Sequence, residues 1–319
     1  MADGCNLYFT EKDLEKVEES LYKGSQFEDV KTASNILNGR LKNDVDDFKV
    51  ILADPHDPRH EIVQQLLEKS LSNGKLTKND EWKLPKALKT VLDIQKNPQG
   101  LFERIPKYRG AGSSKMQHGG ELLTTAAIIQ KGGIPSSSGK KLYIDNTTDK
   151  INFGQKLPSK YVSLNKNKDT IEADTYIERD KGILRGVDVI GIDTKYSKSS
   201  SNFSIKDRAK FEKQLNGIQN CFRDGNLQEF YFVSNVKFSG SFKDTVQEYN
   251  IKIFKERLSE DSEMRNEFGR YLSSKEKETY IPKEFEKFDF AQNPDSLKEI
   301  ARKYDVPQIG ICEEVTYKS

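Results

Sequence analysis

Residues 187–196 read Val-Asp-Val-Ile-Gly-Ile-Asp-Thr-Lys-Tyr. The β-branched, apolar centre predicts a buried strand. Side chains alternate faces along a strand, so Asp193 and Lys195 point the same way, about 7 Å apart. The opposite face carries Ile190, Ile192 and Thr194. An apolar strand that ends by presenting a carboxylate and an ammonium on one side is unusual for a purely structural element. The carboxylate can hold Mg²⁺. The lysine can orient a water or offset charge developing on a phosphate.

A single carboxylate holds such an ion weakly, so a second acid should converge on Asp193. Asp174, in Glu172-Ala173-Asp174-Thr175-Tyr176-Ile177, lies in a second strand-like run (Glu172–Arg179), with Gly182 and Gly186 before the next. That spacing suits two strands of one hairpin. Asp188 is the competitor. Its parity is wrong for the same face, and in one extended strand it would sit roughly 16 Å from Asp193. Asp174 is therefore preferred, and only a bulge or turn near Gly191 would rescue Asp188. Glu121 lies on a largely apolar helix with Leu122, Leu123, Ala126, Ala127 and Ile129. Either a metal or a lysine partners it there, or it faces solvent near the helix start and favours the dipole. Downstream, Lys210 and Gln214 are spaced to share one face of a helix and could reach one phosphate together. With Lys198 they are candidate nucleic-acid contacts, against the alternative of an ordinary solvated face.

Working outward, the spacing predicts helices over about 114–131 and 205–222. A buried strand is expected in Glu229-Phe230-Tyr231-Phe232-Val233-Ser234. A helix over 242–249 and a short strand over Ile251–Phe254 follow. Residues 134–170 read as a hairpin and loops. Upstream, residues 1–100 read as four or so amphipathic helices, the last after Pro85 in EWKLPKALKTVLDIQ. A Gly-, Pro- and Arg-rich linker (97–115) separates them from the rest. The expectation is an α/β (α+β) chain with a helical domain over 1–105 and a mixed-sheet domain over 106–319. The core of the second would span about 114–254, with an acidic C-terminal extension. Ile309–Cys312 either completes the sheet or covers the domain. His56 and His60 are spaced i, i+4, but Pro55 and Pro58 surround them, which favours a capping loop over a metal site.

Charge is unevenly distributed, which suits either a nucleic-acid partner or a Lys-rich solvated surface. The chain carries 52 Lys+Arg and 50 Asp+Glu, a net of +2 over 319 residues. Divided along its length, residues 101–240 carry +8, while 1–100 and 241–319 carry −3 each. The basic section contains Glu121, Asp174, Asp193 and Lys195, so acids suited to a metal lie within the segment that attracts phosphate. GAGSSK (110–115) lacks the GK[ST] of a nucleotide-binding loop and follows no apolar strand, which argues against nucleotide hydrolysis. Three widely spaced cysteines form neither a disulfide framework nor a zinc ribbon. No run approaches the roughly 20 apolar residues of a membrane-spanning helix, and the first 25 residues lack the apolar core of a signal peptide. A cytoplasmic site of action is expected.

The order helix acid Glu121, strand acid Asp174, Asp193-x-Lys195, helix with Gln214, and strand 230–234 resembles the PD-(D/E)xK nuclease superfamily, which includes restriction endonucleases and Holliday-junction resolvases. The resemblance covers about residues 114–254. Ala173 stands before Asp174 where the family pattern has proline, and Asp193 stands where Glu is also permitted. The resemblance implies a central mixed sheet flanked by helices and hydrolysis of a phosphodiester bond. It implies that Asp174, Asp193 and Glu121 ligate one or two Mg²⁺ or Mn²⁺ while Lys195 positions the attacking water. Double-stranded DNA is the expected substrate. An RNA or tRNA nuclease, or a non-catalytic nucleic-acid-binding module on the same fold, is the alternative. Residues 229–249 are also similar to the end of nuclease domains in some bacterial polymorphic or contact-dependent toxins. A toxin would act in a target cytoplasm and need an immunity protein, whereas a restriction-type enzyme often acts as a homodimer.

Overall fold

The computed structural model describes residues 56, 60, 83–95, 98–101, 113–154, 173–182, 186–197, 201–276 and 294–318. The first three helices expected in residues 1–80, most of the 97–115 linker and Lys198 lie outside them. The described elements are α1 (Leu84–Ile94), α2 (Ser113–Gln130), β1 (Ile134–Pro135), β2 (Lys141–Leu142), β3 (Asp149–Phe153), β4 (Thr175–Asp180), β5 (Val187–Lys195), α3 (Arg208–Arg223), β6 (Glu229–Ser234), α4 (Gly240–Glu260), α5 (Ser262–Glu276), α6 (Pro294–Lys303) and β7 (Ile309–Cys312).

The expected central mixed sheet is present. It has five strands in the order β3-β4-β5-β6-β7. The β3–β4 and β4–β5 pairs are antiparallel, and β5–β6 and β6–β7 are parallel. Parallel neighbours need a crossover, and α3 supplies it between β5 and β6. The β1–β2 hairpin stands apart as a two-stranded ribbon.

Strand alternation divides the core in two. On one face Ile151, Phe153, Ile177, Ile190, Ile192, Tyr231 and Val233 pack against α1 and α2. On the other, Tyr176, Val189, Phe230, Phe232, Ile309 and Ile311 pack against α3, α4, α5 and α6. Mid-strand Gly191 exists for this second face, because a Cβ there would lie 2.6 Å from the Phe230 ring. Among the described residues no helix is long and apolar enough to cross a membrane.

Three expectations change. Ile251–Phe254 is not a strand but the middle of α4. Its β-branched run sits within a helical stripe, Phe242, Val246, Ile253, Phe254 and Leu258, all buried, and that periodicity outweighs local propensity. The last helix of the expected N-terminal domain, α1, packs within the same core as α2 and the sheet through Leu84, Leu88 and Val91. A boundary at residue 105 therefore cuts through a core rather than between two. The third change is β3, which joins the main sheet from a segment expected to hold only a hairpin and loops. Finally, β7 resolves the open alternative for the C-terminal extension, since Ile309–Cys312 completes the sheet beside β6.

Candidate active site

Asp193 and Lys195 occupy the last positions of β5, on the face that meets α3. In register, Asp193 lies beside Phe232 and Lys195 beside Ser234 of β6. The ammonium of Lys195 stands 2.6 Å from Asp193 Oδ1 and donates to Oδ2 at 2.9 Å. Gln214 reaches in from α3 and donates its amide to the same Oδ2. Asp193 is 4% exposed. Its Oδ1 has no aligned hydrogen bond despite the close ammonium. That contact is Coulombic rather than directional, and the oxygen keeps acceptor capacity.

Asp174 immediately precedes β4. Because β4 runs antiparallel to β5, with Thr175 opposite Ile192, its start lies beside the end of β5. The backbone N–H of Thr194 donates to Asp174 Oδ2 at 2.8 Å, and Gln117 of α2 approaches Oδ1 at 3.4 Å. Asp188 is at the far end of β5, paired with Lys181 and opposite Arg179 in register. No bulge near Gly191 brings it back, since the β4–β5 register runs unbroken from Thr175–Ile192 to Asp180–Val187.

Glu121 is fully buried, so the solvent-facing alternative does not hold. His118 Nδ1, one turn earlier on α2, lies 3.2 Å from its Oε1. Helix α2 belongs to the opposite face of the sheet, yet its N-terminal half passes the mouth of the site. Gly120 makes this approach possible: a Cβ there would stand 2.4 Å from Tyr196 Cβ, just past β5. Glycine inside a helix costs roughly 1 kcal/mol, so Gly119-Gly120 was a legible signal of close packing. Gln117 and His118 were not singled out from the sequence, and nothing in their spacing distinguishes them from surface residues.

The electrostatics tie these groups together. Burial, then the charges of Asp193 and Glu121, push the Asp174 carboxyl well above the ordinary carboxylate range, against the opposing pull of Lys195 and the Thr194 N–H. Burial pulls Lys195 down, but Asp193 and then Asp174 more than offset it and hold the ammonium above the usual lysine value. Asp193 and Asp174 thus act on one ammonium, and Glu121 lies close enough to act on Asp174. Among the described residues, no three His, Cys, Asp or Glu side chains stand at metal-ligating spacing. Carboxylate oxygens are the donor type that hard divalent cations take. The acids here supply such oxygens, one of them buried without an aligned donor, and burial with the neighbouring charges of Asp193 and Glu121 raises the Asp174 carboxyl.

Of the other candidates, Gln214 touches the site directly, whereas Lys210 is exposed one turn earlier on α3. No family model matches the chain, and no curated protein or solved structure shows significant similarity to it.

Proposed function

We propose that the protein is a divalent-metal-dependent endonuclease of the restriction-endonuclease-like, PD-(D/E)xK type that hydrolyses phosphodiester bonds in double-stranded DNA. The convergence of Glu121, Asp174, Asp193 and Lys195 at one end of the sheet carries this reading. These residues come from a helix, the residue before one strand and the end of another, and are separated by up to 74 positions in the chain. The three-stranded antiparallel run β3-β4-β5, followed through α3 by parallel β6, supports the restriction-endonuclease-like assignment.

Asp193 and Asp174 would hold the ion, with Glu121 completing the acid set from α2. A bound Mg²⁺ or Mn²⁺ would polarise the phosphoryl oxygens and lower the pKa of a coordinated water. Lys195 orients the attacking water and offsets charge on the phosphate in the transition state. Gln214 fixes the Asp193 carboxylate through a neutral amide. Lys195, held above the usual lysine value, stays a cation at neutral pH, so it contributes charge and hydrogen bonds rather than acting as a base.

The substrate class is tested by incubating one preparation with supercoiled plasmid, single-stranded DNA and total RNA, each with Mg²⁺ or Mn²⁺ and with EDTA. Metal-dependent nicking of the plasmid is expected. Degradation of RNA with the plasmid left intact would replace DNA by RNA as the substrate. Metal-independent binding to DNA without cleavage would leave a non-catalytic binding module. An immunity partner or a homodimer belongs to the toxin and restriction versions of this reading. Toxicity on expression favours the first, and a fixed cut site favours the second.

A further inference from the structure

We propose that Lys206, Lys210 and Lys237 form a backbone cradle that guides one DNA strand along the start of α3 to Asp193; this rests on the nuclease reading above. Lys195, at the reacting end, is the register partner of Ser234, and Lys237 lies three residues beyond Ser234. The segment leading into α3 is bound to that same turn. Phe203 N–H donates to Lys237 O at 2.7 Å, and Ser239 N–H donates to Phe203 O at 2.8 Å. The Phe203 ring meets Phe238 and Phe242 edge-on, at 5.8 and 6.0 Å between centroids. Both segments are therefore held by backbone bonds and a buried aromatic cluster. They leave the parallel strands at their C-terminal ends, the end that carries Asp193.

Three lysines project from this frame. Lys206, Lys210 and Lys237 are exposed and make no ion pair among the described residues. Lys210 and Gln214 are one helical turn apart, about 6 Å along the axis, and Gln214 already touches Asp193. Two acids beside this frame, Asp207 and Glu313, are engaged. Asp207 caps α3 by accepting from Lys210 N–H. Glu313 accepts from Phe238 N–H and pairs with Lys243. Since Asp207 occupies the helix N-terminus, contact with phosphate falls to the lysine side chains, which act as point charges suited to a backbone rather than to bases.

The test is the salt dependence of binding. A short labelled DNA duplex is titrated with protein in Ca²⁺ at several salt concentrations, for wild type and for Lys206→Ala, Lys210→Ala and Lys237→Ala. Lys252→Ala, whose ammonium lies near the Tyr249 ring on α4, is the control. Each cradle variant should flatten the log–log salt slope by about 0.9, and Lys252→Ala should keep the wild-type slope. Unchanged slopes in all three variants, or an equal loss in Lys252→Ala, overturn the cradle. An RNA duplex of the same sequence bound more tightly than DNA overturns the choice of DNA. Flattened slopes in a protein that never cuts DNA with Mg²⁺ or Mn²⁺ would support the cradle and sink the nuclease. Failure of the wild type to bind DNA would sink both.

Discussion

Lys195 fills the space beside Asp193 that a cation would take. It stands 2.6 Å from Oδ1 and 2.9 Å from Oδ2. An ammonium near a divalent ion opposes its binding by up to several kcal/mol at the effective dielectric of a protein. Lys195→Met should therefore bind Mn²⁺ at least about tenfold more tightly by calorimetry, while its cleavage rate falls by about 10² or more. Weaker Mn²⁺ binding in this variant would contradict the arrangement. Asp174 makes a second prediction. Its folded carboxyl value is raised by burial, Asp193 and Glu121, so the folded chain holds this proton more tightly than the unfolded chain. The resulting penalty is absent below the unfolded value of about 3.9. It grows as pH rises and is complete above the folded value. Without metal, Asp174→Asn should therefore melt above wild type at pH 7–8, by about 2–4 °C, and the gap should close near pH 4. Thermal melts across that range check it.

Among the elements, the contact between α2 and the end of β5 places Glu121. Gly120→Ala would force a methyl against Tyr196. The expected cost is about 1–3 kcal/mol of stability, with a larger proportional loss of cleavage because Glu121 moves with the helix. A variant with wild-type stability and activity would show that the approach is not needed. The elements around the site were legible because their patterns are strong. Alternation and β-branched content marked β4, β5 and β6, and the apolar run of 122–129 marked α2. Strand parity and spacing argued for Asp174 over Asp188, and in the structure Asp174 lies beside the end of β5 while Asp188 lies at its far end. Other features depended on what lies across space. The run Ile251–Phe254 has strand-like residues but packs as helix against the sheet. Strand β3 is five residues, Asp-Lys-Ile-Asn-Phe, too short and polar to stand out. His118 and Gln117 matter only because Gly120 lets α2 approach β5, which no local pattern of theirs records.

For the molecule as a whole, the last described residues are tied to the core. Tyr317 is buried and shares a 2.8 Å hydrogen bond with Thr90 of α1. Gln130 bonds Lys318 through both its amide nitrogen and its oxygen. A chain of residues 80–319 should therefore unfold cooperatively, whereas one beginning at 106 or ending at 305 should lose its cooperative transition in denaturant titrations. A folded 106–319 fragment with wild-type stability would restore the boundary near 105. Charge was legible at this scale only when divided along the chain. The net of +2 conceals a +8 section, and that section folds into most of the sheet and the site-bearing helices α2 and α3.

The most direct test is nicking of supercoiled plasmid by wild type and Asp193→Ala, prepared identically and supplied with Mn²⁺. The account predicts rapid nicking by wild type, stopped by EDTA and at least about 10²-fold slower in Asp193→Ala. Equal nicking by the two proteins, or none by wild type with either Mg²⁺ or Mn²⁺, would contradict it.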